Sequence, residues 1–170
     1  TSTFALNPNL MKDLPYDQLR DFAAVAPYAR GLWMLVVNTK SGIKTMADFV
    51  KVAKEKQGQL VFGFWTSNVL VTGVAIGKAA GFDFKRVPYK GAVEATTDLV
   101  AGRIDFLFMD VNGAKAFMDS GDLKAIAVTT ANRVKIYPDL PTMTELGYPV
   151  VSDAVIGLFA PIKTPRPIID

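Results

Sequence analysis

The sequence predicts an α/β fold with a mainly parallel sheet flanked by helices, and three observations carry that expectation. Short apolar runs of strand length alternate with amphipathic or small-residue segments of helical length. Glycines stand where those helical segments end, at Gly58, Gly81, Gly102 and Gly121, positions suited to a left-handed closing residue. Strand, helix and strand in succession require crossovers, which are right-handed and set the strands parallel.

In chain order, the front to about residue 26 reads as loop, because Asn7-Pro8-Asn9 and Leu14-Pro15-Tyr16-Asp17 are turn signals. Trp33-Met34-Leu35-Val36-Val37 is an apolar run of strand length and reads as a buried strand. After Gly42, Thr45 with Asp48 opens a helix running to about residue 56, with Phe49, Val50, Val52 and Ala53 on its apolar face. Strands then follow over 60–64, 85–87, 104–109 and 125–129, with helices over 69–80, 92–101 and 113–119 between them. Pro138 and Pro141 flank a turn, and Thr142 with Glu145 has the spacing of a capping box for a short helix closed by Gly147. A strand over 154–160 follows. Pro165 and Pro167 suit the opening of a helix at the point where the sequence stops, so both ends read as cuts through a longer protein.

Composition narrows the function. The 170 residues suit one compact domain or two small lobes. With 50% hydrophobic and 21% charged residues, the chain can form a packed core. Its net charge of +3, from 19 basic and 16 acidic residues, is spread along the chain without a block of like charge. A nucleic-acid surface needs clustered Lys and Arg, so no nucleic-acid partner is expected. There is no Cys and no His, which removes thiol nucleophiles, histidine bases and the usual zinc sites. No phosphate-binding loop and no dinucleotide fingerprint is present. No carboxylate pair has catalytic spacing, so neither an enzyme, nor a cofactor, nor a metal is expected. No apolar stretch approaches the ~20 residues of a membrane span.

In an open parallel sheet, ligands bind beyond the carboxyl ends of the strands, beside helix N-termini. Four segments fall there: Trp65-Thr66-Ser67-Asn68, Pro88-Tyr89-Lys90-Gly91-Ala92, Asp110-Val111-Asn112-Gly113 and Thr129-Thr130-Ala131-Asn132-Arg133. The first two suit an anion, because unpaired N–H groups at helix starts and the hydroxyls of Thr66 and Ser67 are donors. Each residue also has a purely structural use. Thr66, Ser67 and Asn68 are good N-caps, Lys90 suits a solvated surface, Tyr89 suits packing, Asp110 suits a helix cap, Trp65 suits the core, and Arg133 suits an ion pair.

One stretch is more specific. Val87-Pro88-Tyr89-Lys90-Gly91, then Ala95, Asp98-Leu99-Val100 and Gly102-Arg103-Ile104-Asp105-Phe106, resembles the V-P-Y-K-G…A…D-L…G-x-[VI]-D segment of the Bug family, the solute receptors of tripartite tricarboxylate transporters. Leu14-Pro15-Tyr16-Asp17, Leu35-Val36-Val37-Asn38, the run from Gly121 to Thr129, Pro138-Asp139-Leu140-Pro141-Thr142 and Gly157-Leu158-Phe159-Ala160-Pro161 fit the same family in the same order.

The resemblance implies a type II periplasmic-binding-protein-like fold with an incomplete first lobe. On this view residues 1–38 are a first-lobe remnant and hinge, 39–154 the second α/β lobe, and 155–170 the truncated return to the first lobe. It further implies a periplasmic receptor that closes its lobes on a small organic carboxylate (a dicarboxylate, tricarboxylate or aromatic acid) and delivers it to a membrane permease. The alternative is a ligand-sensing module for a regulatory partner. Ligand-binding residues are expected at Ser2, Thr3, Trp65, Thr66, Ser67, Asn68, Tyr89, Lys90, Gly91, Ala92 and Asp110. Trp65 and Val69 depart from the small residues common in the family, which points to a bulkier or aromatic acid stacked on Trp65. Sheet edges exposed by truncation would allow dimerisation.

Overall fold

The computed structural model describes residues 2–170, apart from the side chains of Ser2, Thr3 and Ala154. The chain divides into two compact units, one comprising residues up to Gly31 together with Ala154–Asp170, the other Leu32–Asp153. Sequence reasoning drew the first division after residue 38; residues 34–38 belong to the second unit because they form a strand paired on both sides within its sheet.

The chain opens with helix α1 (Ser2–Leu10) and a long strand β1 (Phe22–Leu32). The front was expected to be loop, so α1 is a departure. Pro8 lies inside it, removing one helix hydrogen bond. Tertiary packing offsets this, since the Phe4 ring stacks on Tyr16 at 5.5 Å and meets Phe22 edge-on at 5.3 Å.

In the second unit, β2 (Met34–Asn38) comes first, followed by a 3-10 turn over Thr39–Ser41 and helix α2 (Met46–Glu55). Thr45 and Asp48 form the capping box that their spacing predicts. The alternation then runs β3 (Val61–Phe64), α3 (Ser67–Ala80), β4 (Lys85–Pro88), α4 (Ala92–Val100), β5 (Phe106–Met109), α5 (Val111–Asp119) and β6 (Leu123–Val128). The expected helices α3 and α5 each begin two residues earlier than their apolar pattern suggests, because Thr66 and Asp110 act as their caps.

The strands form one five-stranded sheet in the order β4-β3-β5-β2-β6. β3 is parallel to both β4 and β5, whereas β2 is antiparallel to β5 and to β6. Four strands therefore point one way and β2 is inserted against them. Both sheet faces are covered, and β2 and β5 are buried along their length, which explains their unbroken apolar sequence. Leu35, Val37, Phe62, Phe106 and Phe108 pack on one face with residues of α2 and α3. Met34, Val36, Leu107 and Met109 pack on the other with residues of α4 and α5.

Thr142 and Glu145 exchange both bonds of a capping box, with Thr142 N–H donating to Glu145 at 2.9 Å and Glu145 N–H to Thr142 Oγ1 at 3.1 Å. No helix follows. Residues 143–147 form only a turn, closed by Tyr148 N–H donating to the Met143 carbonyl at 2.9 Å.

The chain returns to the first unit in β7 (Asp153–Pro161), which pairs with β1 in a two-stranded sheet, and ends in the short α6 (Arg166–Ile169). Phe159 of β7 joins the Phe4 ring at 5.0 Å, completing the aromatic cluster of that unit.

Candidate functional site

Because β3, β4, β5 and β6 run in parallel, their carboxyl ends lie along one edge of the second unit's sheet. Antiparallel β2 starts at that edge, since Met34 pairs with Met109 and with Val128. The four polar loops expected from sequence therefore share an edge, and Trp33 joins them from the start of β2. That edge is the candidate site.

At the turn into α3, Thr66 is the N-cap and its hydroxyl accepts from Val69 N–H at 3.3 Å. Ser67 is half-buried. Asn68 is 7% exposed and Trp65 is half-buried. The Trp65 ring packs against both core clusters and meets Trp33 edge-on at 6.4 Å. A ligand stacking on Trp65 would compete with those contacts.

At the turn into α4, Gly91 occupies the N-cap position with no side-chain cap. Its backbone has open space around it, since a Cβ there would meet nothing within 4 Å. Lys90 is exposed, and its N–H donates to Glu94 at 3.1 Å. Ala92 opens the helix. Tyr89 turns away from this start: its hydroxyl donates to Asp98 at 2.7 Å, and Asp98 also accepts from Arg103 at 2.7 Å. Burial, reinforced by the Asp98 hydrogen bond, pushes the Tyr89 phenol up to about 12. The Arg103 and Tyr89 hydrogen bonds hold the Asp98 carboxyl below its usual range.

The most distinctive motif of the sequence is thus largely structural. Asp105 accepts from Val61 N–H at 2.7 Å and pairs with Lys56. Asn38 donates to the carbonyls of Leu99 and Val100 at 3.0 and 2.8 Å, finishing α4. These residues tie β4, α4 and β5 together and so fix the loops that face the edge.

Asp110 caps α5, accepting from Gly113 N–H at 2.9 Å. Arg133 makes an ion pair with Glu145 at 2.9 Å. The Glu145 carboxyl is held below its usual range first by the Thr142 N–H and then by Arg133. Ser2 and Thr3, also expected as ligand contacts, have side chains outside the described residues.

Sequence reasoning missed a hydroxyl relay at this edge. Thr72 Oγ1 donates to the Asn68 carbonyl at 2.9 Å and lies 2.6 Å from Ser152 Oγ. The Ser152 carbonyl accepts from the Thr129 hydroxyl, and the Trp33 carbonyl accepts from Thr129 N–H at 2.9 Å, with Thr129 Oγ1 3.1 Å away. Thr72 and Thr129 are buried. The sequence signals were Thr129 at the start of the fourth polar loop and Thr72 one turn after Asn68.

Among the described residues, no cluster of three or more His, Cys, Asp or Glu side chains is placed to hold a metal ion. No described helix is long and apolar enough to cross a membrane. A hollow of about 350 Å³ is lined by Met118 and residues 136–140, mainly apolar side chains, and none of the four polar loops contributes to it.

An α/β sheet carrying one inserted antiparallel strand, with polar helix starts along a single edge, is a periplasmic-binding-protein-like fold, and solved structures of that class match it. The chain belongs to the tripartite tricarboxylate transporter family receptors, whose family model matches residues 1–170. A UPF0065 protein from the tcbD-tcbE intergenic region of Pseudomonas sp. (strain P51) is 32% identical over 164 residues, covering 92% of this chain and 48% of that protein. A protein of R. palustris solved with adipate is similar at TM-score 0.88 and 27% identity, covering 93% of this chain and 54% of that one. A second, MatC from Rhodopseudomonas palustris with bound malate, is similar at TM-score 0.86 and 26% identity, covering 96% of this chain and 56% of that one. The chain spans about half the length of the curated relatives it matches.

Proposed function

We propose that this chain is part of a periplasmic receptor that captures a small organic carboxylate by lobe closure and hands it to a membrane permease, without performing chemistry on it. The observation that carries the reading is the gathering of helix starts and hydroxyls on one edge. The α4 start has no side-chain cap, and the α3 start lies beside Thr66, Ser67 and Asn68. First-turn N–H groups and the positive end of the helix dipole favour an anion. Neither Cys nor His is present anywhere in the chain, which fits capture rather than turnover. The adipate and malate bound by the two R. palustris proteins support a carboxylate as the solute class.

Both tryptophans of the chain, Trp33 and Trp65, stand at this edge, so intrinsic fluorescence is a direct reporter. Titration of the protein with adipate, malate, citrate and benzoate, with glucose as a neutral control, is expected to give a saturable fluorescence change for an acid and none for the sugar. Calorimetry should give the same affinity. A flat response to every acid in both measurements refutes the receptor reading.

A further inference from the structure

Two buried side-chain nitrogens among the described residues have no hydrogen-bond partner, and both are donors: the Trp33 indole Nε1 and the Asn68 amide Nδ2. Buried donors are nearly always paired in folded proteins, so an unpaired one asks for a physical reason. Two at one sheet edge ask for a common one. They also share a support. The relay described above ends on the backbone carbonyls of these same two residues: Thr72 Oγ1 holds the Asn68 carbonyl, and Thr129 holds the Trp33 carbonyl through its N–H. Ser152 joins the two threonines, through its own hydroxyl to Thr72 and through its carbonyl to Thr129.

We infer that Trp33 and Asn68 are specificity-determining donors that read one acceptor group of the bound acid, and that Thr72, Ser152 and Thr129 are positioning residues that hold the pair. This inference rests on the carboxylate-receptor reading and adds to it Trp33, a residue from outside the four polar loops, together with the chemistry it selects. Indole N–H and amide NH₂ only donate. They suit a carboxylate or carbonyl oxygen and reject an ammonium group or a hydroxyl that must donate. Because both donors are already removed from water, an acceptor that reaches them forms its bonds without first displacing hydration from the protein side. The site is therefore built for a ligand whose acceptor is turned toward the α3 start and whose donor groups, if any, lie elsewhere.

The test compares wild type with Trp33→Phe, Thr72→Val and Thr72→Ser, using adipate and malate as probes. Trp33→Phe keeps an aromatic ring at the edge and removes the N–H together with part of the indole's packing against the core and Trp65. It is expected to weaken acid binding about tenfold, the size of one lost hydrogen bond to a charged group, and to lower the acid-free melting temperature modestly through the lost packing. Acid affinity unchanged in Trp33→Phe, whatever its melting temperature, overturns the inference. Thr72→Val should weaken binding by releasing Asn68, and Thr72→Ser, which keeps the hydroxyl, should restore it. Equal binding by wild type and all three variants overturns the donor pair and leaves the receptor reading standing. If wild type takes up none of the acids, the receptor reading falls and the donor pair falls with it.

Discussion

Replacing Gly73 by Ala should destabilise the protein although Ala is the better helix former. Gly73 lies in the middle of α3, buried against the sheet. A Cβ at this position would stand 2.4 Å from Cε1 and 2.6 Å from Cζ of Phe62, closer than carbon atoms approach. Phe62 has no room to withdraw: it is fully buried, stacked on Phe106 at 4.8 Å and edge-on to Phe84 at 5.3 Å. Helix propensity favours Ala by about 1 kcal/mol. Overpacking a close-packed core costs ~1–3 kcal/mol, and contact with a trapped ring belongs at the upper end. The net loss is ~1–2 kcal/mol, or roughly 2–8 °C in melting temperature for a chain of this size. Urea denaturation should show a lower midpoint with an unchanged slope. Phe62→Leu, which vacates the space, should reduce the cost of Gly73→Ala, giving a coupling of at least ~0.5 kcal/mol in a double-mutant cycle. A Gly73→Ala protein as stable as wild type, or additive behaviour in the cycle, refutes this account of how α3 sits on β3. Because α3 carries Asn68 and Thr72, the same substitution should also weaken acid binding.

Two further predictions separate structural from ligand roles. Tyr89→Phe should lower the melting temperature and leave acid affinity unchanged, because the phenol is engaged by Asp98; a loss of affinity would return Tyr89 to the binding site. In wild type one tyrosine should titrate near 12, and that phase should vanish in Tyr89→Phe. The sign follows: its folded value lies above the unfolded one near 10, so its stabilisation is complete below that value and is lost as pH rises toward 12. Asp110→Ala should cost about 1 kcal/mol through loss of the α5 cap, whereas Asp110→Asn should keep both stability and acid affinity. An Asn variant that is stable but binds weakly would show that the carboxylate itself meets the ligand.

The sequence by itself determined the alternation of strands and helices in the second unit and most of their limits. Thr45 with Asp48, Thr66 and Asp110 are local signals, each satisfied within three residues of itself, so no distant contact is needed to read them. The loops at the carboxyl ends of the strands were legible for the same reason. Sequence did not reveal α1, whose Pro8 argues against a helix and whose support comes from Phe22 and Phe159 far along the chain. Nor did Thr142 with Glu145 make a helix, although their spacing fits one, since local capping bonds do not supply the packing a helix needs. The direction of β2 was likewise invisible, because a strand buried on both faces looks the same read either way. Tertiary structure alone decided which polar residues are tied into the frame. Tyr89 and Asp98 lie nine residues apart and close on each other. Trp33, Thr72, Thr129 and Ser152 are scattered over more than a hundred residues and meet at one edge, because only the folded sheet brings the start of β2, the first turns of α3 and the end of β6 to the same place.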